Sequence, residues 1–253
     1  MNLHFKKYQA TGNDFVLVDN RNGSIHLSID QIKQICDRKF GVGADGLILI
    51  EKHPSLDFNL VYYNSDGSQS LCGNGSRAAV KMASSLGMIN GKAKFNAYDG
   101  PHEAEIGDTI KVKMNNVTVK KDSDFIDTGS PHVIKFVTGL KEYPVYEEGK
   151  KLRDSKPGGT NVNFVELLGD KVFVRTYERG VENETLSCGT GVTAVALAAH
   201  FKGFRSPVSI MTLGGDLSVQ FTASAEDSNS NVTFHDIFLI GPAKMVFEGD
   251  LEL

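Results

Sequence analysis

Two stretches of the chain carry residue types that could do chemistry, and they carry them in the same order. Cys72 opens "CGNGSRAAVKMASSLG" and Cys188 opens "CGTGVTAVALAAHFKG". Aligned on the cysteines, Gly73 matches Gly189, Gly75 matches Gly191, Ala78 matches Ala194, Ala83 matches Ala199 and Gly87 matches Gly203. Each run reads as a helix whose first residue follows the thiol. At a helix start the first amides have no intrahelical partner, and the aligned peptide dipoles leave partial positive charge there. A thiolate at that point is stabilised, and the same amides can grip an anion such as a carboxylate. The glycines keep side chains away from those amides.

One cysteine before a Gly-rich helix start is readily read as a small buried hydrophobe. Two, in matching places of an internal repeat, point to a pair. Two thiols aimed at opposite faces of one carbon, with helix amides on its carboxylate, can take an α-proton from one side and return one from the other. Inversion of a stereocentre needs such a paired acid and base, since one fixed base would return the proton to the face it left. The negative charge that develops on the carboxylate would meet the amides, a stabilisation of the oxyanion-hole kind. No pyridoxal cofactor and no Schiff-base lysine are needed in that scheme.

The elements that must position the thiols are mostly strands. Apolar and β-branched segments recur at 15–19, 46–51, 58–64, 93–98 and 110–114. A second set follows at 131–137, 162–168, 171–179, 208–213, 217–221 and 234–241. Turn residues such as Asp99-Gly100 and Gly214-Gly215 make the sheets largely antiparallel. A helix is expected over 29–39, with Ser28 and Asp30 as capping residues, and two more follow the cysteines. The stretch 139–153 reads as either helix or loop. A strand ending in tyrosine, Tyr63 or Tyr177, precedes each cysteine, so the chain reads as a tandem of similar halves. The fold class expected is α/β of the α+β type. It has two pseudo-symmetric halves, residues 1–119 and 120–242, each a sheet wrapped around a central helix, with the active site in the cleft between them. Residues 243–253 could return to the first half.

Composition narrows the partners. A net charge of −4 with dispersed Lys and Arg argues against nucleic acid. No window approaches the about eighteen apolar residues of a membrane span, and "MNLHFKKYQATGNDF" lacks a signal-peptide core, so a cytoplasmic location is expected. Three widely spaced cysteines, with no C-x-x-C and no H-x-x-x-H, suit a reducing compartment and no structural metal. Cys36 belongs to no repeat and reads as packing. The G-x-G-x-x-G of "GVGADG" at 41–46 follows a helix and precedes a strand. A dinucleotide fold needs the reverse, so these glycines are read as a tight turn.

Six motifs then appear in family order: "ATGNDFVLVD", "DRKFGVGADGL", "YYNSDGSQSLCGNGSR", "GSPHVI", "GTNVNFVE" and "YERGVENETLSCGTG". Together they resemble the diaminopimelate epimerases. The resemblance implies a cofactor-independent isomerase that converts LL-diaminopimelate to the meso form in lysine and cell-wall precursor synthesis, usually as a homodimer. It implies Cys72 and Cys188 as the acid/base pair, with His132 and Glu178 tuning them. Gly73, Asn74, Gly189 and Thr190 would supply amides to the reacting carboxylate. Asn13, Asn64, Asn161 and Arg179 would recognise the distal amino-acid head, and Glu178 would meet an ammonium group. The chain departs from the pattern at Gly46, where some relatives carry a substrate-contacting glutamine, and at Ser130, a common asparagine. A neighbouring group or water would then complete those contacts. Relatives of proline-racemase or phenazine-synthesis type are the alternative within the fold, and a thiol redox switch is the alternative outside it. The duplicated anion site distinguishes an isomerase from the latter.

Overall fold

The computed structural model describes residues 2–253, which fall into two compact units. One runs up to Val112 and takes back Gly241–Leu253; the other is Lys113–Ile240. In chain order the elements are β1 (Asn2–Ala10), β2 (Asn13–Asp19), α1 (Ile29–Cys36), β3 (Gly46–Glu51), β4 (Phe58–Asn64), α2 (Gly73–Ser85), β5 (Lys92–Ala97), β6 (Gly100–Ile106) and β7 (Ile110–Lys113). The second unit holds β8 (Val117–Lys120), β9 (Phe125–Asp127), β10 (Pro131–Phe136), α3 (Val145–Arg153), β11 (Asn161–Leu168), β12 (Lys171–Glu178), β13 (Asn183–Thr185), α4 (Gly189–His200), β14 (Val208–Thr212), β15 (Gly215–Ala223) and β16 (Asn231–Gly241). β17 (Lys244–Glu252) closes the chain. The class is mixed α and β with strands dominant.

The first sheet is built by period-two alternation. Phe15, Leu17, Ile48 and Ile50 face the cluster around α2, which holds Ala79, Val80 and Ala83. Val16, Val18, Leu47 and Leu49 face the opposite cluster, with Ile32, Ile35 and Cys36 of α1. Both faces are covered, so β2 and β3 read as unbroken apolar runs rather than as alternating ones. In the second unit Val165, Val172 and Val174 pack with Val192, Val195 and Leu197 of α4. Val162, Phe164 and Tyr177 pack with Val145 of α3 on the other side.

The two units share a strand plan. In the first, β1–β2 is antiparallel, β2–β3 parallel across α1, β3–β4 antiparallel, β4–β5 parallel across α2 and β5–β6 antiparallel. In the second, β9–β10, β10–β11 across α3, β11–β12, β12–β14 across α4 and β14–β15 repeat those senses in order. Both closing hairpins turn through two residues, Tyr98-Asp99 and Leu213-Gly214, and resume at glycines whose φ is +118° and +134°. Only glycine takes those angles without strain.

One helix end and several strands differ from expectation, and two further details complete what the sequence left open. The helix expected over 29–39 stops at Cys36; Ser28 caps its start as expected, but the partner that completes the capping box is Gln31, with Asp30 an acidic residue of the first turn. The stretch 139–153 resolves into a short 3-10 turn at Leu140–Glu142 and α3. Its helical signal is weakened by Gly149, which is required there because a Cβ would lie 2.3 Å from the Tyr177 Cβ. Like β6, β8, β9 and β13, β1 has no counterpart among the expected strands. Its alternation breaks at the irregularity between Lys7 and Tyr8, where Lys7 is buried on Asp14 and donates to the Gly43 carbonyl. Finally, β17 lies antiparallel on β1, from Asn2 opposite Glu252 to Gln9 opposite Lys244. Residues 41–46 form the turn from α1 into β3, and burial pushes the Cys36 thiol up to about 11, which suits a packing residue.

Candidate functional site

Each cysteine is delivered by a segment that doubles back on the strand before it. Tyr63 of β4 bridges Gln69, and Tyr177 of β12 pairs with Glu184 of β13. Both cysteines are N-cap residues with extended backbone, at φ −129°, ψ 108° for Cys72 and φ −118°, ψ 113° for Cys188. The helices behind them differ. All residues of α4 from Gly189 to Ala199 are buried, while α2 presents Lys81 to solvent.

Around Cys72 the sulfur accepts the Gly75 N–H at 3.3 Å and lies 3.7 Å from Asn13 Oδ1. Asn74 Nδ2 donates to the same Asn13 oxygen at 3.3 Å, and Asn74 Oδ1 accepts from Arg77 Nη2 at 2.9 Å. Asn13 Nδ2 donates to Asp45 Oδ2 at 2.6 Å. Arg38 bridges Asp45 and Asp14, each at 2.7 Å. Burial raises the Asp14 carboxyl, but hydrogen bonds from Arg38 and Lys7 outweigh it and hold the group down at about 2. Arg77 is fully buried, and its hydrogen bonds go to Thr11, Asn74 and the carbonyls of Gly73 and Pro242, with no carboxylate among them. Desolvation lowers it to about 10, so it stays a cation at neutral pH.

Cys188 meets a hydroxyl that belongs to a cluster of two hydroxyls and an imidazole. Thr190 Oγ1 lies 3.5 Å from the sulfur, 3.0 Å from His132 Nε2 and 2.9 Å from Ser130 Oγ. His132 Nδ1 meets Asn163 Nδ2 at 3.0 Å. Burial, helped by the charge of Arg179, pushes His132 down to about 3, so the ring is neutral. Gly191 is needed for this packing, since a Cβ there would lie 2.5 Å from Asn163 Oδ1. At Gly75 the corresponding contacts are no closer than 3.3 Å.

Within the first unit, then, Cys72, Asn74 and Asn13 form one connected group; within the second, Cys188, Thr190 and His132 form another. The remaining expected residues are held less directly. Asn64 Nδ2 donates to Ser68 and Ser70 in the turn before Cys72. Asn161 is buried, with Nδ2 on the Pro131 carbonyl and Oδ1 on the Arg179 N–H. The exposed Arg179 side chain rests on the carbonyls of Gly158 and Gly159, and Glu178 accepts from Thr185. Of the two departures, Ser130 joins the Cys188 group, and Tyr62 fills the space beside Gly46. Its ring Cε2 is 2.4 Å from where a Cβ would stand, so a longer side chain there requires Tyr62 to move. Arg77 and Asn163 escaped sequence reasoning. A lone arginine inside the Ala-rich face of α2, and two asparagines in period-two register in β11, were the available signals.

Among the described residues no cluster of His, Cys, Asp or Glu is arranged to hold a metal ion, and no helix is long and apolar enough to cross a membrane. The family model described as "Diaminopimelate epimerase" matches residues 5–120 and 125–246. The diaminopimelate epimerase of Flavobacterium psychrophilum is 46% identical over 258 residues, covering 96% of this chain and 97% of that one. That of Aquifex aeolicus is 37% identical, covering 98% of each. Among solved structures, a phenazine biosynthesis protein of the PhzF family from Bacillus anthracis superposes with a TM-score of 0.77 at 15% identity, over the whole of both chains. A probable proline racemase from Agrobacterium radiobacter gives 0.71 at 13% identity, over 99% of this chain and 92% of the other. At such identities these two likenesses concern the fold alone.

Proposed function

The chain belongs to the diaminopimelate epimerase family, and from that premise we propose that it inverts one α-carbon of LL-2,6-diaminopimelate to give the meso isomer, using Cys72 and Cys188 as a paired base and acid. The observation that carries this reading is that each unit presents a cysteine as the N-cap of a helix opened by Gly-x-Gly. Backbone amides of Gly73, Asn74, Gly189 and Thr190 are the donors for the reacting carboxylate. They act where charge develops as the α-proton leaves. One sulfur removes that proton, the other delivers its own to the opposite face, and no pyridoxal cofactor takes part.

Asn13, Asn64, Asn161 and Arg179 are assigned to the distal head of the substrate, with Glu178 against an ammonium group. An exposed guanidinium suits a carboxylate, which it can grip with two parallel hydrogen bonds. His132 and Glu178 tune the pair. The enzyme works in lysine and peptidoglycan precursor synthesis, in the cytoplasm and as a homodimer.

Pyridoxal-free, reduced protein is expected to exchange the α-hydrogen of diaminopimelate in heavy water while interconverting the LL and meso forms. Exchange with proline in place of diaminopimelate would turn the assignment toward a proline-racemase activity. No exchange and no isomer change with any amino acid would end the two-thiol reading.

A further inference from the structure

Asn13 is held in a row of hydrogen bonds whose two ends can only donate. At one end the buried Arg77 gives Nη2 to Asn74 Oδ1 at 2.9 Å. Asn74 is thereby turned with its Nδ2 toward Asn13, whose Oδ1 accepts it at 3.3 Å. Asn13 Nδ2 in turn donates to Asp45 Oδ2 at 2.6 Å. From the other end Arg38 Nη2 donates to Asp45 Oδ1 at 2.7 Å. A guanidinium has no acceptor and a carboxylate no donor, so the oxygen and nitrogen of both carboxamides are fixed by charged groups and not by the rotation of a hydroxyl. Asp45 is the acceptor-only group of the row, the place where donors arriving from both ends meet.

The far end is itself anchored. Arg38 gives two hydrogen bonds to Asp14, at 2.7 and 3.1 Å, and Asp14 is paired with the buried Lys7 at 2.8 Å. The Asp45 carboxylate also accepts the Asp14 N–H at 3.2 Å, and the Asp45 N–H returns to the Asp14 carbonyl at 2.9 Å. Asn13 opens β2 and Asp45 precedes β3, and these strands run parallel with Phe15 opposite Gly46, so the sheet register sets the two side chains next to each other. The result is an Asn13 carboxamide whose nitrogen is taken by Asp45 and whose oxygen lies 3.7 Å from the Cys72 sulfur.

We propose that Asp45, held by Arg38, is a positioning residue for substrate recognition: it turns the oxygen of Asn13 toward the substrate, so that Asn13 accepts from an ammonium group instead of donating to a carboxylate. This rests on the assignment of Asn13 to the substrate made above and adds to it the groups that choose which end of the amide is offered. An amide oxygen accepts from an ammonium, whereas an amide nitrogen in the same place would repel it. The row leaves Asn13 no neutral alternative. With an amide at position 45, Arg38 takes the new oxygen and the new nitrogen faces Asn13 Nδ2. Asn13 then either leaves two donors in contact or turns over, and on turning it sets its own nitrogen against Asn74 Nδ2, which Arg77 holds in place. Asp45 acts in this scheme through Asn13.

The test compares Asp45→Asn, Asn13→Ala and the double variant as reduced full-length protein, with LL-diaminopimelate as substrate. Asp45 is exposed, so Asp45→Asn is expected to keep the fold and the melting temperature. It should raise KM about tenfold, the worth of one hydrogen bond to a charged group, with kcat held within about twofold. In the Asn13→Ala background the same change should add nothing, because its effect passes through Asn13. Nitrogen-15 spectra give a second reading. The Asn13 carboxamide signal, assigned by its loss in Asn13→Ala, should show one strongly downfield proton that Asp45→Asn moves back. An unchanged KM in Asp45→Asn, an effect as large without Asn13 as with it, or an Asn13 signal indifferent to Asp45 overturns the inference. Asn13→Ala with a normal KM removes the assignment of Asn13 to the substrate and this inference with it, whereas an impaired Asn13→Ala beside a normal Asp45→Asn removes this inference alone.

Discussion

Cys72 and Cys188 stand at the same step of the same backbone pattern, yet their sulfurs meet different neighbours. Cys72 is half-buried, caps its helix by accepting the Gly75 N–H, and has a buried guanidinium one helical turn behind it. Cys188 is buried, makes no capping hydrogen bond through its side chain, and meets the Thr190 hydroxyl, which lies within hydrogen-bond distance of Ser130 and a neutral His132. At the position of Arg77 the second unit has Thr193, whose hydroxyl turns back to the Gly189 carbonyl at 3.0 Å. Duplicated topology can thus hold two like groups in like places. The side chains that differ between the copies are what can make one a donor and the other an acceptor.

The comparison is broken most severely by removing a sulfur. Cys72→Ala and Cys188→Ala are each expected to lower the rate of inversion by about 10³-fold, the scale of a lost general acid or base. Normal turnover in either variant would show that the junctions do not act as a pair. Next come the glycines. Gly191→Ala must displace the buried Asn163 and His132 and is expected to lower stability by about 3 kcal/mol, as overpacking does. Gly75→Ala meets only 3.3 Å contacts and recovers helix propensity, so its net change should stay within about 1 kcal/mol in denaturant titration. Equal losses would mean that the two helix starts are packed alike.

Acid should separate the units most gently. His132 is held neutral with its pKa depressed to about 3, whereas the unfolded chain protonates near the ordinary 6.5. Its contribution is therefore complete above about 6.5 and is lost as pH falls toward 3, with about 2 kcal/mol of it gone by pH 5. Asp14, depressed from 3.8 to about 2, has the same sign in a lower window, so the first unit keeps its contribution until pH falls below about 4. Hydrogen exchange followed through an acid series is expected to open the second unit first. His132→Gln should flatten its pH dependence between 6.5 and 3. Earlier opening of the first unit would reverse the assignment.

Much of this was legible in the residues, because local rules sufficed. The tandem cysteines, the Ser28 capping box and the apolar runs of β2 and β3 state their structure within a few positions. Where a tertiary contact overrode the local pattern, reading fell short: Lys7 buried on Asp14 hid β1, and Gly149 under Tyr177 left 139–153 open between helix and loop. The six motifs likewise carried the family, but not what Arg77 or Asn163 does.

By itself the sequence determined the strand-rich α+β class, the repeat and the two thiols at helix starts, since periodicity, glycine placement and capping are properties of neighbouring residues. Only the tertiary structure decided which atom each sulfur meets. Asn163 is 25 residues before Cys188 and Asn13 is 59 before Cys72. Hydrogen-bond direction along those chains is set by donor-only and acceptor-only groups that folding alone brings within 3 to 4 Å of one another.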